Sequence, residues 1–138
     1  MKGTVELSDR VQFKACSGTG HELILEGAPE SGGKNKGMRP MEAVLLGMGG
    51  CTAYDVAQIL RKQRKEPATL VLEMEAERSE QVPMVFTRIH LTYKVSGSGI
   101  TERQVKRAID LSIDKYCSAT RMLSSTAKVT YEFEVLST

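Results

Sequence analysis

The three cysteines, Cys16, Cys51 and Cys117, are the side chains best suited to chemistry in this 138-residue chain. A thiolate is a nucleophile, and two thiols that meet in space can cycle between a dithiol and a disulfide. The N-terminus lacks the apolar segment of a signal peptide, and an odd number of cysteines argues against a disulfide framework. We therefore expect a cytoplasmic protein with free cysteines, which leaves open a reactive pair plus one further thiol.

The sequence around each cysteine favours a different role. Cys51 follows the glycine-rich run "LLGMGG" in an apolar helix, where a cysteine can also be a small core residue. Cys117 comes at the predicted start of a short helix, whose N–H groups can stabilise a thiolate. Cys16 falls on the polar side of a strand and is expected to be a bystander. His21 and His90 are predicted at the surface, and without short ligand spacing we expect no metal site.

The first 27 residues have the pattern of strands. Apolar and polar residues alternate over Val11–Ala15, and a second short strand is predicted over His21–Gly27, with a turn at Ser17–Gly20 between them. Residues Ala28–Gly37 are polar and rich in glycine, which is typical of a loop. Pro40 then suits the first turn of a helix.

A long helix from Met41 to about Arg64 is the central predicted element. Its first half is apolar almost all round, which predicts burial on every side. A lone two-layer domain of this length cannot cover such a helix, so we expect a second copy of the chain to cover it in an intertwined homodimer. A glycine inside a helix costs about 1 kcal/mol relative to alanine. We expect Gly47, Gly49 and Gly50 to lie where this helix meets another backbone, that of its symmetry mate.

The second half of the chain alternates strands and helices. Period-two patterns predict an antiparallel pair over Thr69–Arg78 and Arg88–Val95, and a last strand over Lys128–Val135. A capping box at Thr101–Gln104 opens a second helix, and a short helix follows after a break. This order predicts one α+β domain over residues 1–138, with its helices on one face of an antiparallel sheet.

Charge, composition and the length of the apolar stretches argue against two classes of partner. The formal net charge is only +2 and the chain has no tryptophan, which argues against a nucleic-acid partner. The longest apolar stretch, Ala43–Cys51, is too short to span a bilayer, so we expect no membrane partner.

The segments around two of the cysteines resemble a known family. The stretch "RPMEAVLLGMGGCTAYDV" resembles the "P-x-E-L-L-L-x-x-x-x-x-C" helix of the OsmC/Ohr superfamily (osmotically inducible protein C and organic hydroperoxide resistance protein). The stretch "DLSIDKYCSATRML" resembles that superfamily's second cysteine segment. Cysteine spacing, element order and length agree over nearly the whole chain, and the glycine-rich form looks closest to a less characterised branch. The resemblance implies an OsmC-like fold and a domain-swapped homodimer with two sites at the subunit interface.

Carried over to this chain, the resemblance also implies a reaction. Cys51 would attack an organic hydroperoxide and become a sulfenic acid, and Cys117 would resolve it as a disulfide. The family needs no cofactor, and an external dithiol, in the family a lipoyl-bearing protein, would recycle the pair.

Two positions depart from the pattern of the peroxidase branches. Met41 stands where these enzymes have a glutamate directly after the proline, and Glu42 is placed to serve the partner subunit's site instead. The family arginine comes from the loop before the helix, and the equivalent stretch here has none. We prefer Arg39 as its substitute, because the loop could fold over the partner's pocket. The other candidate cations are Lys34, Lys36 and Arg121. Asp55, one turn after Cys51, would disfavour a thiolate there if it were unpaired.

Two functions therefore compete. The first is thiol-dependent reduction of organic hydroperoxides, which the cysteine pair favours. The second is a non-catalytic OsmC-like protein, stress-related or binding a small molecule, that has lost efficient peroxidase activity; the missing glutamate and arginine favour it.

Overall fold

Six strands and three helices make up the part of the chain that the computed structural model describes, residues 1–137. The chain divides into two units, Met1–Leu46 and one that begins at Gly47, with the boundary inside the long helix. The elements before and including that helix are β1 (Gly3–Asp9), β2 (Gln12–Ser17), β3 (Glu22–Glu26), a 3-10 turn (Pro29–Ser31) and α1 (Pro40–Lys62). Those after it are β4 (Thr69–Arg78), β5 (Phe86–Ser96), α2 (Glu102–Leu111), a π-helical turn (Ser112–Tyr116), α3 (Ser118–Leu123) and β6 (Lys128–Leu136).

The first unit is built on an antiparallel sheet in the order β1-β2-β3. Its register sets Val5 opposite Ala15 and Leu7 opposite Phe13, so apolar side chains form cross-strand rows on one face. Leu23 continues the first of these rows on β3. Val5 and Leu7 are nevertheless 65% and 59% exposed, so this face is not covered within the described chain.

Helix α1 buries one face and leaves the other open. Its buried residues recur at the four-residue spacing of a single helix face: Met48, Gly49, Thr52, Val56 and Leu60. Val44, Leu46 and Tyr54, on other faces, are 43%, 50% and 65% exposed. The expected burial on every side is therefore found on one side only within the described chain.

The three helix glycines have two different surroundings. A Cβ on Gly49 would lie 2.7 Å from the Sδ and Cε atoms of Met74, so this glycine makes room for a side chain of β4. The prediction that Gly49 meets another backbone is wrong. A Cβ on Gly47 or Gly50 would meet nothing within 4 Å, and both positions are exposed.

The sheet of the second unit has the order β4-β5-β6, with β5 at its centre. β4 and β5 pair antiparallel, as predicted, from Thr69 opposite Ser96 to Glu77 opposite Arg88. The central strand supplies most of the sheet's core, because four alternate residues on it are fully buried: Ile89, Leu91, Tyr93 and Val95. α2 buries Val105, Ala108 and Ile109.

The last strand differs from the expected antiparallel arrangement. β6 pairs parallel with β5, with Arg88 opposite Lys128 and Val95 opposite Val135. Parallel neighbours require a crossover connection, and the helical segment between β5 and β6 supplies it. The α+β fold class is confirmed, with mixed pairing in this sheet.

The helical segment breaks at Cys117, where a break between the second helix and the short helix was predicted. Helix α2 starts with the predicted capping box, in which the Gln104 N–H donates to the Thr101 hydroxyl and the Gln104 side chain accepts from the Thr101 N–H. The helix then widens into the π-helical turn, where the Cys117 N–H donates to the Ser112 carbonyl over 2.7 Å. Cys117 itself is extended, with φ −77° and ψ 103°, and α3 follows it. Single π turns of this kind are frequent at functional sites.

Candidate functional site

Cys51 and Cys117 come together in the second unit, although they lie far apart in the sequence. Cys51 is half-buried on α1, and Cys117 is 2% exposed at the end of the π-helical turn. Both are free thiols. The Cys51 thiol lies near enough to the Cys117 thiol to contribute to raising the Cys117 pKa. The fold thus juxtaposes the two thiols that the resemblance pairs.

Burial dominates the electrostatics of Cys117. Desolvation is the largest influence on its thiol and raises the pKa above the ordinary value. Opposing it, the Thr120 N–H donates to Sγ over 3.4 Å at the start of α3. The Thr120 hydroxyl, which is buried and has no hydrogen-bond partner within residues 1–137, also lowers the Cys117 pKa. The net pKa stays raised, so the expected stabilisation of a Cys117 thiolate by the helix start is outweighed, and Cys117 rests as a thiol.

A buried chain of hydrogen bonds lies directly beside the cysteines. The Thr52 hydroxyl oxygen is 2.7 Å from the Tyr93 hydroxyl and 2.8 Å from the Ser112 hydroxyl, and all three residues are fully buried. The Ser112 hydroxyl donates to Asp55 Oδ2 over 2.9 Å. We call these four side chains the hydroxyl network. Burial raises the pKa of Tyr93 strongly, so its phenol remains protonated.

The hydroxyl network was not predicted, and it changes the reading of Asp55. That carboxylate is not unpaired, because it accepts the Ser112 hydrogen bond. Only two features of the sequence point to the network, a polar residue directly after Cys51 and a serine among apolar residues just after α2. Neither feature identifies a partner 41 or 60 positions away.

Arg39, the preferred cation, is part of an ordered loop in the first unit. Its guanidinium donates to the carbonyl oxygens of Gly37 and Glu26, over 3.1 and 3.5 Å, and to Asn35 Oδ1 over 3.3 Å. The Glu26 carboxylate organises the same loop by accepting the N–H groups of Lys34, Lys36 and Gly37. These bonds hold the pKa of Glu26 below its usual range, led by the one from Lys34.

Glu42 also has a structural partner. Its carboxylate accepts the backbone N–H of Arg39 over 2.8 Å, three residues back, and so satisfies a free donor at the start of α1. The catalytic roles of Arg39 and Glu42 stay predictions.

The remaining candidates are dispersed. Lys34 forms an exposed ion pair with Asp9 at 3.5 Å, and Lys36 is exposed. Arg121 is exposed on α3, and its backbone N–H donates to the Cys117 carbonyl. Cys16 lies on β2 in the first unit, where its thiol contacts Glu22 at 3.9 Å. No three His, Cys, Asp or Glu side chains within residues 1–137 form a group suited to a metal ion.

A groove of about 460 Å³ runs beside the turn that leads to Cys117. Its lining is Ile59, Lys62, Gln63, Arg103, Gln104, Arg107, Leu111 and Tyr116. Within the part of the chain that the structure describes, Lys62, Arg103 and Arg107 form no ion pair. Apolar and cationic side chains together suit an organic molecule with an anionic end.

Comparisons with known proteins agree with this architecture. The sequence profile of a family described as OsmC-like protein matches residues 33–132. The chain is 37% identical over 136 residues to Protein YhfA of Escherichia coli, covering 99% of this chain and 98% of that protein.

Two solved structures extend the likeness to the fold. An OsmC-like protein from Mycoplasma pneumoniae superposes with a TM-score of 0.83 at 19% identity, covering 98% of this chain and 96% of that one. The organic hydroperoxide resistance protein OhrB of Bacillus subtilis superposes with a TM-score of 0.65 at 15% identity, covering 96% of each chain. At these identities the likeness establishes a shared fold.

Proposed function

Because the chain belongs to the OsmC-like protein family, whose structural neighbours include organic hydroperoxide resistance proteins, we propose that it reduces organic hydroperoxides with Cys51 and Cys117. Family membership itself supports a role in the peroxide-related stress response. The observation that carries the proposal is the proximity of these two free thiols, which come from distant segments of the chain.

The different environments of the two thiols suit an ordered reaction. Cys51, the more accessible sulfur, attacks one oxygen of the peroxide as a thiolate. The O–O bond breaks, a sulfenic acid forms on Cys51, and the alkoxide takes a proton from solvent water and leaves as an alcohol. Cys117 then attacks the Cys51 sulfur, the S–O bond breaks, and the hydroxide leaves as water with the Cys117 proton. An external dithiol reduces the resulting disulfide by exchange and is itself oxidised.

The protonated state of Cys117 is consistent with the second role. A resolving thiol reacts only after the sulfenic acid has formed, and its proton is needed on the departing hydroxide. Burial, which raises the pKa of Cys117, keeps that proton in place until then.

A peroxidase assay with three matched cysteine variants tests the proposal. tert-Butyl hydroperoxide, cumene hydroperoxide and hydrogen peroxide are compared, with dithiothreitol as the reductant. We expect Cys51→Ser to abolish turnover and Cys117→Ser to leave a sulfenic acid on Cys51 that dimedone traps. Cys16→Ser, which changes a thiol in the first unit, is expected to match the wild type. Full turnover by Cys51→Ser would contradict the proposal.

The cation that activates Cys51 is a separate part of the proposal. Arg39 is our first candidate, and its bonds to loop carbonyls show that the loop orients its guanidinium. Arg121 is the alternative, because it follows Cys117 by one helical turn. We expect Arg39→Met to slow both alkylation of Cys51 and peroxide reduction, with Arg121→Met changing neither. The reverse result would assign the role to Arg121.

We propose further that the protein is an intertwined homodimer. Two apolar surfaces support this assembly, the open face of α1 around Leu46 and Tyr54, and the face of the first sheet around Val5 and Leu7. Large exposed apolar patches on a soluble protein indicate an interaction site. Sedimentation of the purified protein, compared with Leu7→Glu, tests this, and a monomeric wild type would contradict it.

A non-catalytic binding protein is the second candidate function. It is favoured by the structural engagement of Arg39 and Glu42, the two residues expected to replace the family's catalytic pair. In that case the purified protein reduces no hydroperoxide above the rate of Cys51→Ser, and it still binds an organic ligand by calorimetry.

We propose that the protein is cytoplasmic. We also propose that an external dithiol recycles its cysteines, a task that a lipoyl-bearing protein performs in the family. By length and a mean hydropathy of 1.3, α1 also matches a membrane-spanning helix. The core helix of a soluble protein meets the same criteria. Reduction of the oxidised protein by dihydrolipoamide, followed by thiol counting, tests the class of reductant.

A further inference from the structure

Ser112 connects the two segments that carry the cysteines. Its carbonyl oxygen accepts the Cys117 N–H over 2.7 Å, across the π-helical turn. Its hydroxyl bonds to Thr52 and Asp55 on α1, over 2.8 and 2.9 Å. Thr52 is the residue after Cys51, and Asp55 lies one helical turn beyond it. A single buried residue therefore joins the backbone of one cysteine, through its carbonyl, to the helix of the other, through its hydroxyl.

Counting hydrogens shows that the hydroxyl network has one direction. Each hydroxyl has one hydrogen to donate. Ser112 donates its hydrogen to the Asp55 carboxylate, so it must accept from Thr52. Thr52 has then used its hydrogen and must accept from Tyr93. Every hydroxyl hydrogen in the network is used, and removing one member leaves a buried partner unsatisfied, so the arrangement is rigid.

We propose that Ser112 is a positioning residue, which holds the Cys51 and Cys117 sulfurs in the orientation needed for disulfide closure. This inference rests on the proposed dithiol chemistry, because positioning matters only if the two sulfurs bond. Disulfides have strict geometric requirements, and two thiols held near that geometry lose little freedom when they bond. Thr52 and Asp55 support Ser112 from α1 in this role.

The effective concentration of the two thiols measures such positioning directly. The protein is equilibrated with reduced and oxidised glutathione, quenched in acid, alkylated and weighed by mass spectrometry. In this equilibrium Cys51 and Cys117 lose two electrons and two protons and form one S–S bond. One oxidised glutathione takes them up and becomes two reduced glutathiones. Every variant is made in the Cys16→Ser background, which removes mixed disulfides at the third thiol.

Ser112→Ala is expected to lower the effective concentration about tenfold, which is a reduction potential about 30 mV higher. Thr52→Val removes the central hydroxyl with almost no change of side-chain shape, and it carries the test if Ser112→Ala does not fold. We expect the same loss from Thr52→Val and near wild-type behaviour from Thr52→Ser, which restores the hydroxyl.

Ser96→Ala is the matched control for a purely structural effect. Ser96 is also buried, and its hydroxyl bonds to the Thr69 hydroxyl over 2.6 Å, with no link to the hydroxyl network. We expect this variant to unfold at a lower temperature while its Cys51–Cys117 equilibrium stays within about twofold of the wild type, a small change on the tenfold scale.

The outcomes separate the two proposals. A wild type that forms no Cys51–Cys117 disulfide in oxidised glutathione would overturn both the proposed reaction and the positioning role. A wild type that forms it readily, with Ser112→Ala and Thr52→Val unchanged, would overturn the positioning role alone. The positioning role is supported if Ser112→Ala and Thr52→Val both lower the effective concentration of the two thiols while Thr52→Ser keeps it near the wild-type value. This holds whatever the rate of peroxide turnover.

Discussion

Leucine substitutions at the exposed glycines of α1 are expected to have opposite effects on a single chain and on a dimer. A Cβ on Gly47 or Gly50 meets nothing within 4 Å in the described structure. In a single chain, leucine at either position should therefore be favourable, because it removes a helix penalty of about 0.8–1 kcal/mol. For a chain of this length, that gain raises the unfolding temperature by about 3 °C.

In the proposed homodimer the same substitutions have the opposite effect. If a second helix packs on the open face of α1 at Gly47 and Gly50, a leucine side chain must enter a filled space. Overpacking costs about 1–3 kcal/mol at each site, and symmetry applies the cost twice. The dissociation constant of the dimer should then rise at least about thirtyfold, which corresponds to 2 kcal/mol.

Gly49→Leu is the internal control. Its side chain would collide with Met74 of the same chain, where even a Cβ lies 2.7 Å from Sδ. We expect a lower unfolding temperature for this variant, with little change in the dissociation constant. Analytical ultracentrifugation over a dilution series gives the constants, and circular dichroism gives the unfolding temperatures. Gly47→Leu and Gly50→Leu variants that remain dimeric and melt higher would refute the view that these glycines serve helix contact.

Three further results are expected. Because burial raises the Cys117 pKa, iodoacetamide should modify Cys117 more slowly than Cys51 at neutral pH, and the rate of Cys117 modification should still rise above pH 8.5. Peptide mass spectrometry measures both rates, and equal rates would contradict the raised Cys117 pKa. The Glu26 pKa is lowered on folding, so the ionised carboxylate stabilises the folded protein. This contribution is complete above the unfolded-state pKa of about 4.3 and is lost as the pH falls through the folded-state pKa. Hydrogen exchange of the loop amides that it binds should accelerate in that acidic range, and Glu26→Gln should remove the acid dependence. The double variant Arg103→Glu, Arg107→Glu should raise KM for a carboxylate-bearing hydroperoxide and leave KM for cumene hydroperoxide unchanged. Equal effects on both substrates would exclude the groove as the binding site for an anionic group.

Elements whose information is local could be predicted from the sequence. The strand Thr69–Arg78 has the predicted bounds, because its alternation lies wholly within it. The capping box at Thr101 and Gln104 needs only four residues, and it opens α2 as expected. The family was recognisable because motifs around two cysteines agreed in spacing and order.

Features that depend on distant partners could not be predicted. The parallel pairing of β6 is decided by the path of the crossover, and its own alternation is the same for either direction. The pairing of Asp55 stayed open in the sequence because its partner, Ser112, is 57 residues away. Gly49 was assigned to a subunit contact because no local pattern identifies Met74 as its neighbour.

The parallel arrangement of β5 and β6 also has a consequence for the order of folding. The central strand of the second sheet gains its second neighbour only when the crossover through α2 and α3 has formed and β6 has docked. Such non-local pairing forms late, because the entropy of closing the connecting loop is lost before the strand contacts can stabilise it. Until then, one edge of the apolar strand β5 remains open to strands of other chains. Cys117 lies within this crossover, so Cys51 and Cys117 come together in the same late step that closes the edge against aggregation.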